Sequence, residues 1–221
     1  MDALYRRDDR GRIVSINEWN GPTAPRFALM RTTAGAICRF RYDVPDDIAR
    51  AIEEICNQEP CDEPIERLPR FQPRYIELLS QHMPVTSVGA GPAFMFTKDV
   101  QSSVAPVPID ENNAELLRGG LDEWVPDVPY RRPFMVIVAD GHAVSVCASV
   151  RISDAVHCAG VETVSAYRRK DYAVSVVAGW ARAVKAMGAT PFYSTSWDNV
   201  ASQNVANRLG LKLAGVDFQL S

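Results

Sequence analysis

The sequence predicts an α+β protein, because strand-like and helix-like segments follow one another along 221 residues, of which 47% are apolar. Two short turns between apolar runs, Thr-Thr-Ala-Gly at 32–35 and Asp140-Gly141, predict β-hairpins. Two segments with apolar residues at helical spacing, 45–55 and 172–187, predict amphipathic helices. A chain of this length and composition can bury a substantial core.

The first hundred residues are predicted to form a small α+β domain without a recognisable chemistry. Its expected elements are strands at 12–17, 27–31, 37–41 and within 85–96, and helices at 47–55 and 75–79. The segment 100–108 contains two serines and two prolines and is the expected boundary. We therefore predict two domains, 1–100 and 101–221.

The second domain is predicted to follow the order strand-helix-helix-strand-strand-strand-helix-strand-helix-strand, and the boundary segment 100–108 could carry its first strand. Its expected elements are short helices at 114–117 and 121–124, strands at 134–138, 143–150 and 156–164, the helix 172–187, a strand at 190–196, a helix that ends at Gly210, and a strand at 211–220. Gly188 and Gly210 follow helical patterns and are expected to terminate the helices, since glycine favours that position.

Charge and cysteine content restrict the class of protein. The formal net charge is −3, which argues against nucleic acid as the main partner. The sequence has no stretch of about 18 uncharged apolar residues, so no membrane span is predicted. The first residues lack the apolar core of a signal peptide. The five cysteines form no C-x-x-C pair, and Cys56 and Cys61 have no histidine partners. We therefore expect buried thiols in the cytoplasm, with no metal site.

The most informative segment is the basic run Arg168-Arg169-Lys170, which lies between an apolar strand pattern and the helix 172–187. The N-terminus of a helix carries unpaired N–H groups and a partial positive charge, and neighbouring cations strengthen its attraction for anions. A phosphate group is one expected ligand. A solvated surface cluster is the alternative, because most short basic runs bind nothing.

The run continues as Asp171-Tyr172-Ala173, and together these six residues resemble the Q/R-x-x-G-x-G/A pyrophosphate loop of the GNAT (general N-acetyltransferase) superfamily. A second segment, Asn199-Val200-Ala201-Ser202 followed by Ala206-Asn207-Arg208-Leu209-Gly210-Leu211, resembles another signature of that superfamily. In that signature an asparagine opens a short helix that ends in Leu-Gly-Phe or Leu-Gly-Leu. The resemblance extends from about Val104 to the end. It implies a mixed, mostly antiparallel central sheet flanked by helices, acetyl-CoA as co-substrate and an amine as acceptor. A homodimer is compatible with it.

The resemblance also implies where acetyl-CoA binds. The main chain of Val161, Thr163 and Val164 would contact the pantetheine arm, and Asn199 and Ser202 would contact the arm or a phosphate. The pyrophosphate would lie against Arg168, Arg169, Lys170, Asp171, Tyr172 and Ala173. Each position has a structural alternative: Val161 and Thr163 as core residues of a strand, and Asn199 as a helix cap.

Two residues depart from the family pattern. Asp171 stands where the loop has glycine, so its charge would oppose the pyrophosphate, and Ala206 stands where many relatives carry a tyrosine that protonates the departing thiolate.

Glu162 and His157 are the candidate general bases. Glu162 could instead be a cross-strand charge, and His157 a satisfied core histidine. The leading prediction is an N-acyltransferase. The alternative is a catalytically weak GNAT-fold module that binds CoA as a sensor or scaffold.

Overall fold

The computed structural model describes residues 3–60 and 64–221, so Cys61 lies outside the described residues. Local sequence patterns and the observed elements agree closely in the C-terminal half. The strands are β1 (Tyr5–Arg7), β2 (Ile13–Ile16), β3 (Phe27–Thr32), β4 (Gly35–Phe40), β5 (Val88–Met95), β6 (Val107–Pro108), β7 (Phe134–Ala139), β8 (His142–Ile152), β9 (Val156–Thr163), β10 (Thr190–Ser194) and β11 (Lys212–Leu220). The α-helices are α1 (Asp46–Cys56), α2 (Gln72–Ser80), α3 (Tyr172–Ala186) and α4 (Val200–Arg208).

The first of two compact units contains the described residues up to Phe94, together with Ser194–Asn199 and Leu213–Ser221. Its main strands lie in the order β4-β3-β11-β5, and β3 is antiparallel to both β4 and β11. Helices α1 and α2 pack together, and the apolar residues of α1 are buried while Asp46 and Asp47 lie in its first turn. Acidic residues at that end complement the helix dipole.

Phe27 lies at the centre of the core of the first unit. Its ring centroid is 5.4 Å from that of Phe40, 5.2 Å from that of Tyr75 and 6.4 Å from that of Phe218. These residues come from strands β3, β4 and β11 and from helix α2, so one aromatic cluster joins four elements of this unit.

The second unit contains Met95–Tyr193 and Val200–Lys212. Strands β6, β7, β8 and β9 are antiparallel neighbours in that order, and β10 is parallel to β9. Helix α3 packs on one face, where the indole of Trp180 donates to Ser149 Oγ at 3.0 Å. Two 3₁₀-helices, Ala114–Leu117 and Asp122–Asp127, pack against a cluster that includes Val146 and Ala148 of β8. The predicted α+β fold with a mixed, mostly antiparallel sheet is confirmed.

Two further observations bear on sequence predictions. None of the helices in the described part of the chain is long and apolar enough to cross a membrane. The described cysteines Cys38, Cys56, Cys147 and Cys158 are all buried thiols without a disulfide.

Gly91 allows two main-chain segments of the first unit to approach closely. The N–H of Thr195 donates to Pro92 O at 3.1 Å, and the N–H of Trp197 donates to Ala90 O at 3.2 Å. A Cβ at Gly91 would overlap the carbonyl oxygen of Thr195, which is main chain and cannot rotate away. Gly91 therefore fixes the segment that ends at Asn199.

We expect Gly91→Ala to lower the free energy of unfolding by about 1–3 kcal/mol, because relieving the overlap requires the backbone to move. Urea unfolding measures the change. Gly89→Ala in the same strand is the matched control, since the nearest atom to its Cβ would be Gln219 Cβ at 4.0 Å. Equal stability of the two variants would contradict this account of Gly91.

Candidate functional site

Strands β9 and β10 separate after a short parallel pairing. Val156, His157 and Cys158 pair with residues 190–192, and the pairing ends there, although β9 continues to Thr163. The opposite edge of β9 stays paired with β8 along its length. Within the described residues, the edge of β9 that faces β10 therefore has no strand partner from 159 to 163. Unpaired main-chain groups of this kind can bind an extended ligand in the manner of an additional strand.

Of the predicted pantetheine contacts, Val161 and Thr163 lie on this open edge, whereas Val164 does not, because its N–H and its carbonyl are both bonded within the protein. The N–H of Val164 donates to Val144 O at 3.0 Å, and the Ser145 hydroxyl donates to Glu162 O at 3.2 Å, so these main-chain groups point towards β8. Successive peptide groups of a strand point to opposite edges. The main-chain groups of Val161 and Thr163 therefore point away from β8.

The basic loop connects β9 to α3 through two residues in the left-handed conformation. Arg169 has φ 64°, and Asp171 has φ 64° and ψ 11° immediately before the helix. Aspartate tolerates this region better than most residues, so it can stand where the family loop has glycine. The side chain of Asp171 does not cap α3, and the N–H groups of the first turn, which include those of Tyr172 and Ala173, point out of the helix end.

The carboxylate of Asp171 is paired with Arg208 in the last turn of α4. Both guanidinium nitrogens, Nη1 and Nη2, donate to the two carboxylate oxygens in a bidentate arrangement. The hydrogen bonds from Arg208 lower the pKa of Asp171, and the same bonds raise the pKa of Arg208. Both groups are therefore charged at neutral pH, and the charge that departs from the family pattern has a local counter-charge.

The loop is also fastened to the hairpin between β7 and β8. The Tyr167 hydroxyl donates to Asp140 Oδ2 at 2.7 Å, and the His142 ring meets the Tyr167 ring edge-on with centroids 5.8 Å apart. The ammonium of Lys170 lies 4.9 Å from the centroid of Tyr167. Arg168 donates through Nε to Thr163 O at 3.3 Å. These contacts fix the direction in which the loop leaves the strand.

Glu162 lies on the face of the sheet that carries the 3₁₀-helices. The indole N–H of Trp124 donates to Glu162 Oε2 at 2.6 Å. Trp124 is itself held edge-on against Phe134, with centroids 5.9 Å apart, and the Arg131 guanidinium lies 5.3 Å from the centre of its ring. Among the described residues, the Trp124 indole is the single hydrogen-bond donor to the Glu162 carboxylate. Oε1 is therefore open to a further partner.

His157 lies on the opposite face of the sheet. It is buried, and its Nδ1 is 2.9 Å from Ser149 Oγ, which also accepts the Trp180 indole N–H. Burial lowers the pKa of His157, so the imidazole is neutral at neutral pH. Because Glu162 and His157 project to opposite faces, they cannot act together on one acceptor. The contacts of His157 support a structural role.

The lowered pKa of His157 makes stability depend on pH. The unfolded chain takes up this proton below the ordinary histidine pKa of about 6.5, while the folded protein resists it. We expect the free energy of unfolding to fall as the pH drops below that value, and we expect a shallower decline for His157→Gln. Urea unfolding between pH 8 and pH 5 measures both, with His142→Gln as control. A slope unchanged by His157→Gln would contradict this account.

The second signature brings two hydroxyls together near the start of α4. Asn199 directly precedes the helix, and Ser202 lies in its first turn. The hydroxyl oxygens of Ser202 and Tyr193 are 2.7 Å apart, and burial raises the pKa of Tyr193 to about 12. Ala206 follows Ser202 by one turn and is fully buried. A hydroxyl pair formed between β10 and α4 therefore lies one helical turn before the residue that replaces the family tyrosine.

Comparison with known proteins agrees with this geometry. Residues 135–215 match the model of the GNAT acetyltransferase family, and the match includes β9, the basic loop, α3 and α4. Residues 135–215 form a GNAT domain. The predicted family resemblance is confirmed. A comparison with curated proteins finds no significant match.

Solved structures of GNAT proteins share the fold. A GCN5-related N-acetyltransferase-like protein from Streptococcus suis is 18% identical, with 90% of this chain and 85% of that chain covered and a TM-score of 0.50. A GCN5-related N-acetyltransferase from Sphaerobacter thermophilus is 12% identical, with 91% and 78% covered and a TM-score of 0.50. A GNAT-family protein from Novosphingobium aromaticivorans is 15% identical, with a TM-score of 0.51 and with 62% of this chain and 65% of that chain covered. The match thus spans slightly less than two thirds of the length of that protein.

Two side-chain partners of the candidate site could not be predicted from the sequence motifs. Trp124 contacts Glu162 across 38 residues of sequence, and Arg208 contacts Asp171 across 37. Arg208 does lie within the second signature, but its spacing gives no sign of its partner. The departure of Asp171 from glycine was the available signal that a compensating cation was required.

Proposed function

We propose that this protein is an acyl-CoA-dependent N-acyltransferase that transfers an acetyl group from acetyl-CoA directly to an amine. The observation that carries the proposal is the separation of β9 from β10 beside a basic loop that enters α3 without a side-chain cap. An unpaired strand edge and an uncapped helix N-terminus are complementary to the amide arm and the pyrophosphate of CoA.

The proposed acetyl-CoA contacts follow the path of the chain. The pantetheine amides would bond to the main chain of Val161 and Thr163, while Val164, the third predicted contact, bonds to Val144 O and to the N–H of Tyr167 instead. Asn199, directly before α4, and Ser202, in its first turn, would contact the arm. The pyrophosphate would bind to Arg168, Arg169, Lys170, Asp171, Tyr172 and Ala173, through the main chain at Asp171 and in the first turn of α3. The positively charged loop supports this assignment of the diphosphate end.

The chemistry requires an unprotonated amine. With a pKa near 10.4, only about one lysine-like amine in 2,500 is neutral at pH 7, so a base that removes a proton is needed. Glu162 is the proposed base, because its Oε1 is open while Oε2 is fixed by Trp124. His157, the other candidate, is held by Ser149 on the opposite face.

In the proposed reaction the amine nitrogen attacks the thioester carbonyl, and a tetrahedral intermediate forms, whose oxyanion is stabilised by a main-chain N–H. The intermediate then breaks its C–S bond, releases CoA as a thiolate and leaves the amide. Protonation of the thiolate gives the free thiol, and the hydroxyl pair of Tyr193 on β10 and Ser202 on α4 is the proposed proton source. Burial raises the pKa of Cys158 to about 11, which disfavours an acyl-cysteine intermediate.

A second candidate is a GNAT-fold module that binds CoA but turns over slowly, as a sensor or scaffold. Ala206 favours it, since this buried methyl group cannot donate a proton to the thiolate. The two candidates share the binding site and differ in catalysis.

Two measurements test these candidates. Acetyl-CoA at about 100 times its Kd should stabilise the protein by about 2.7 kcal/mol in thermal unfolding, and S-acetylpantetheine, which lacks the diphosphate, should stabilise it much less. Release of CoA thiol should then accelerate when a panel of amines is added. Stabilisation without acceleration would favour the sensor, and no stabilisation by acetyl-CoA would overturn both.

A further inference from the structure

We infer that Arg208 is a positioning residue that makes Asp171 compatible with a bound pyrophosphate. This inference rests on the proposed function, because it concerns the same anion site. It assigns to Arg208 the task of holding the Asp171 carboxylate away from the N-terminus of α3 and neutralising it.

The first step of the argument is geometric. An aspartate directly before a helix ordinarily accepts hydrogen bonds from the N–H groups of the first turn and thereby fills the position that an anion would take. Asp171 makes no such bond: its backbone is left-handed, with φ 64° and ψ 11°, instead of the extended conformation typical of a capping residue, and both its carboxylate oxygens are occupied by Arg208. The N–H groups at the start of α3 are therefore left for another acceptor.

The second step is electrostatic. A carboxylate beside a diphosphate repels it, and the repulsion grows as water leaves the site. The bidentate Asp171–Arg208 pair has no net charge, so Asp171 does not offset the positive charges of Arg168, Arg169 and Lys170 at the proposed anion site. The side chains of Asp171 and Arg208 are 41% and 55% exposed, so the pair stays near solvent, where its formation costs little desolvation.

The third step concerns the two helices. Asp171 immediately precedes α3, and Arg208 lies in the last turn of α4, the helix whose first turn contains Ser202. A fork of two parallel hydrogen bonds fixes both the distance and the orientation of its partners. The pair therefore connects the proposed pyrophosphate loop with the helix that carries the second signature.

A double-mutant cycle tests the inference by isothermal titration of CoA at low salt. We expect Arg208→Ala to weaken CoA binding by at least about tenfold, because it leaves an unpaired carboxylate at the anion site. The Asp171→Asn variant should bind CoA at least as tightly as the wild type, because asparagine tolerates the left-handed backbone and carries no charge. The double variant should return to within about threefold of the wild type, and such a rescue would not follow if Arg208 were needed for folding alone.

The other outcomes separate the possible failures. Equal loss of affinity in Arg208→Ala and in the double variant would overturn the inference and assign Arg208 to direct phosphate contact. Unchanged affinity in Arg208→Ala would also overturn it. A wild-type protein that does not bind CoA would overturn the proposed function itself. Arg74→Ala, which breaks an exposed pair with Glu77, is the matched control and should leave CoA affinity unchanged. Thermal unfolding without ligand verifies that each variant is folded.

Discussion

Glu162→Gln is expected to lower kcat for amine acetylation by about 10²-fold or more, which is the contribution that a positioned general base makes. Glutamine keeps the shape of the side chain and can still accept the Trp124 indole N–H through its carbonyl oxygen, so the structural contact survives. What is lost is the carboxylate oxygen that would accept the amine proton. The measurement is the initial rate of CoA thiol release at saturating acetyl-CoA with the best acceptor of the amine panel.

The pH dependence provides an independent check on Glu162. A base that must be unprotonated produces an acidic limb in the pH profile of kcat, and this limb should disappear in Glu162→Gln. Glu123→Gln removes the same charge next to Trp124 and should retain wild-type kcat. A Glu162→Gln enzyme with nearly wild-type kcat and an intact acidic limb would exclude Glu162 as the base.

Glu59→Ala is expected to lower the free energy of unfolding of the first unit by about 3–5 kcal/mol, because it leaves a buried charge without its partner. Glu59 Oε2 lies 3.9 Å from Arg31 Nε, and the two side chains are almost completely buried. The same carboxylate accepts the N–H groups of Arg70 and Phe71 and the hydroxyl of Tyr75, at 3.1, 3.1 and 2.8 Å. Three hydrogen-bond donors would lose their acceptor, and Arg31 would lose its counter-charge, at once.

Urea unfolding compares Glu59→Ala with two further variants. Glu59→Gln retains acceptor capacity and should lose less stability than the alanine variant. Glu77→Ala removes an acid from the exposed pair with Arg74 and should change stability by less than about 1 kcal/mol. A Glu59→Ala protein as stable as Glu77→Ala would show that the buried network contributes little.

The sequence predicted the elements around the candidate site because local patterns determine them. Helical spacing of apolar residues predicted a helix at 172–187, and the structure has α3 at Tyr172–Ala186. The apolar run before the basic loop predicted a strand at 156–164, and β9 spans Val156–Thr163. Both signals arise within a single helix or a single strand, where residues close in sequence determine the conformation.

The side-chain partners could not be predicted because they depend on distant parts of the chain. Trp124 reaches Glu162, and Arg208 reaches Asp171, only after the strands and helices between them have packed. The opposite orientations of Glu162 and His157 do follow from strand alternation, but which face carries α3 depends on tertiary packing. The division of the chain into domains 1–100 and 101–221 and the roles of the proposed site residues stay predictions.

The pairing of Asp171 with Arg208 has a consequence for sequence change over evolutionary time. If position 171 returns to glycine, the arginine at 208 loses its counter-ion and is released to vary. If position 208 loses its cation first, the aspartate at 171 is left as an unpaired carboxylate, which would weaken CoA binding. We therefore expect these two positions to covary among close homologues, with aspartate at 171 occurring together with arginine at 208.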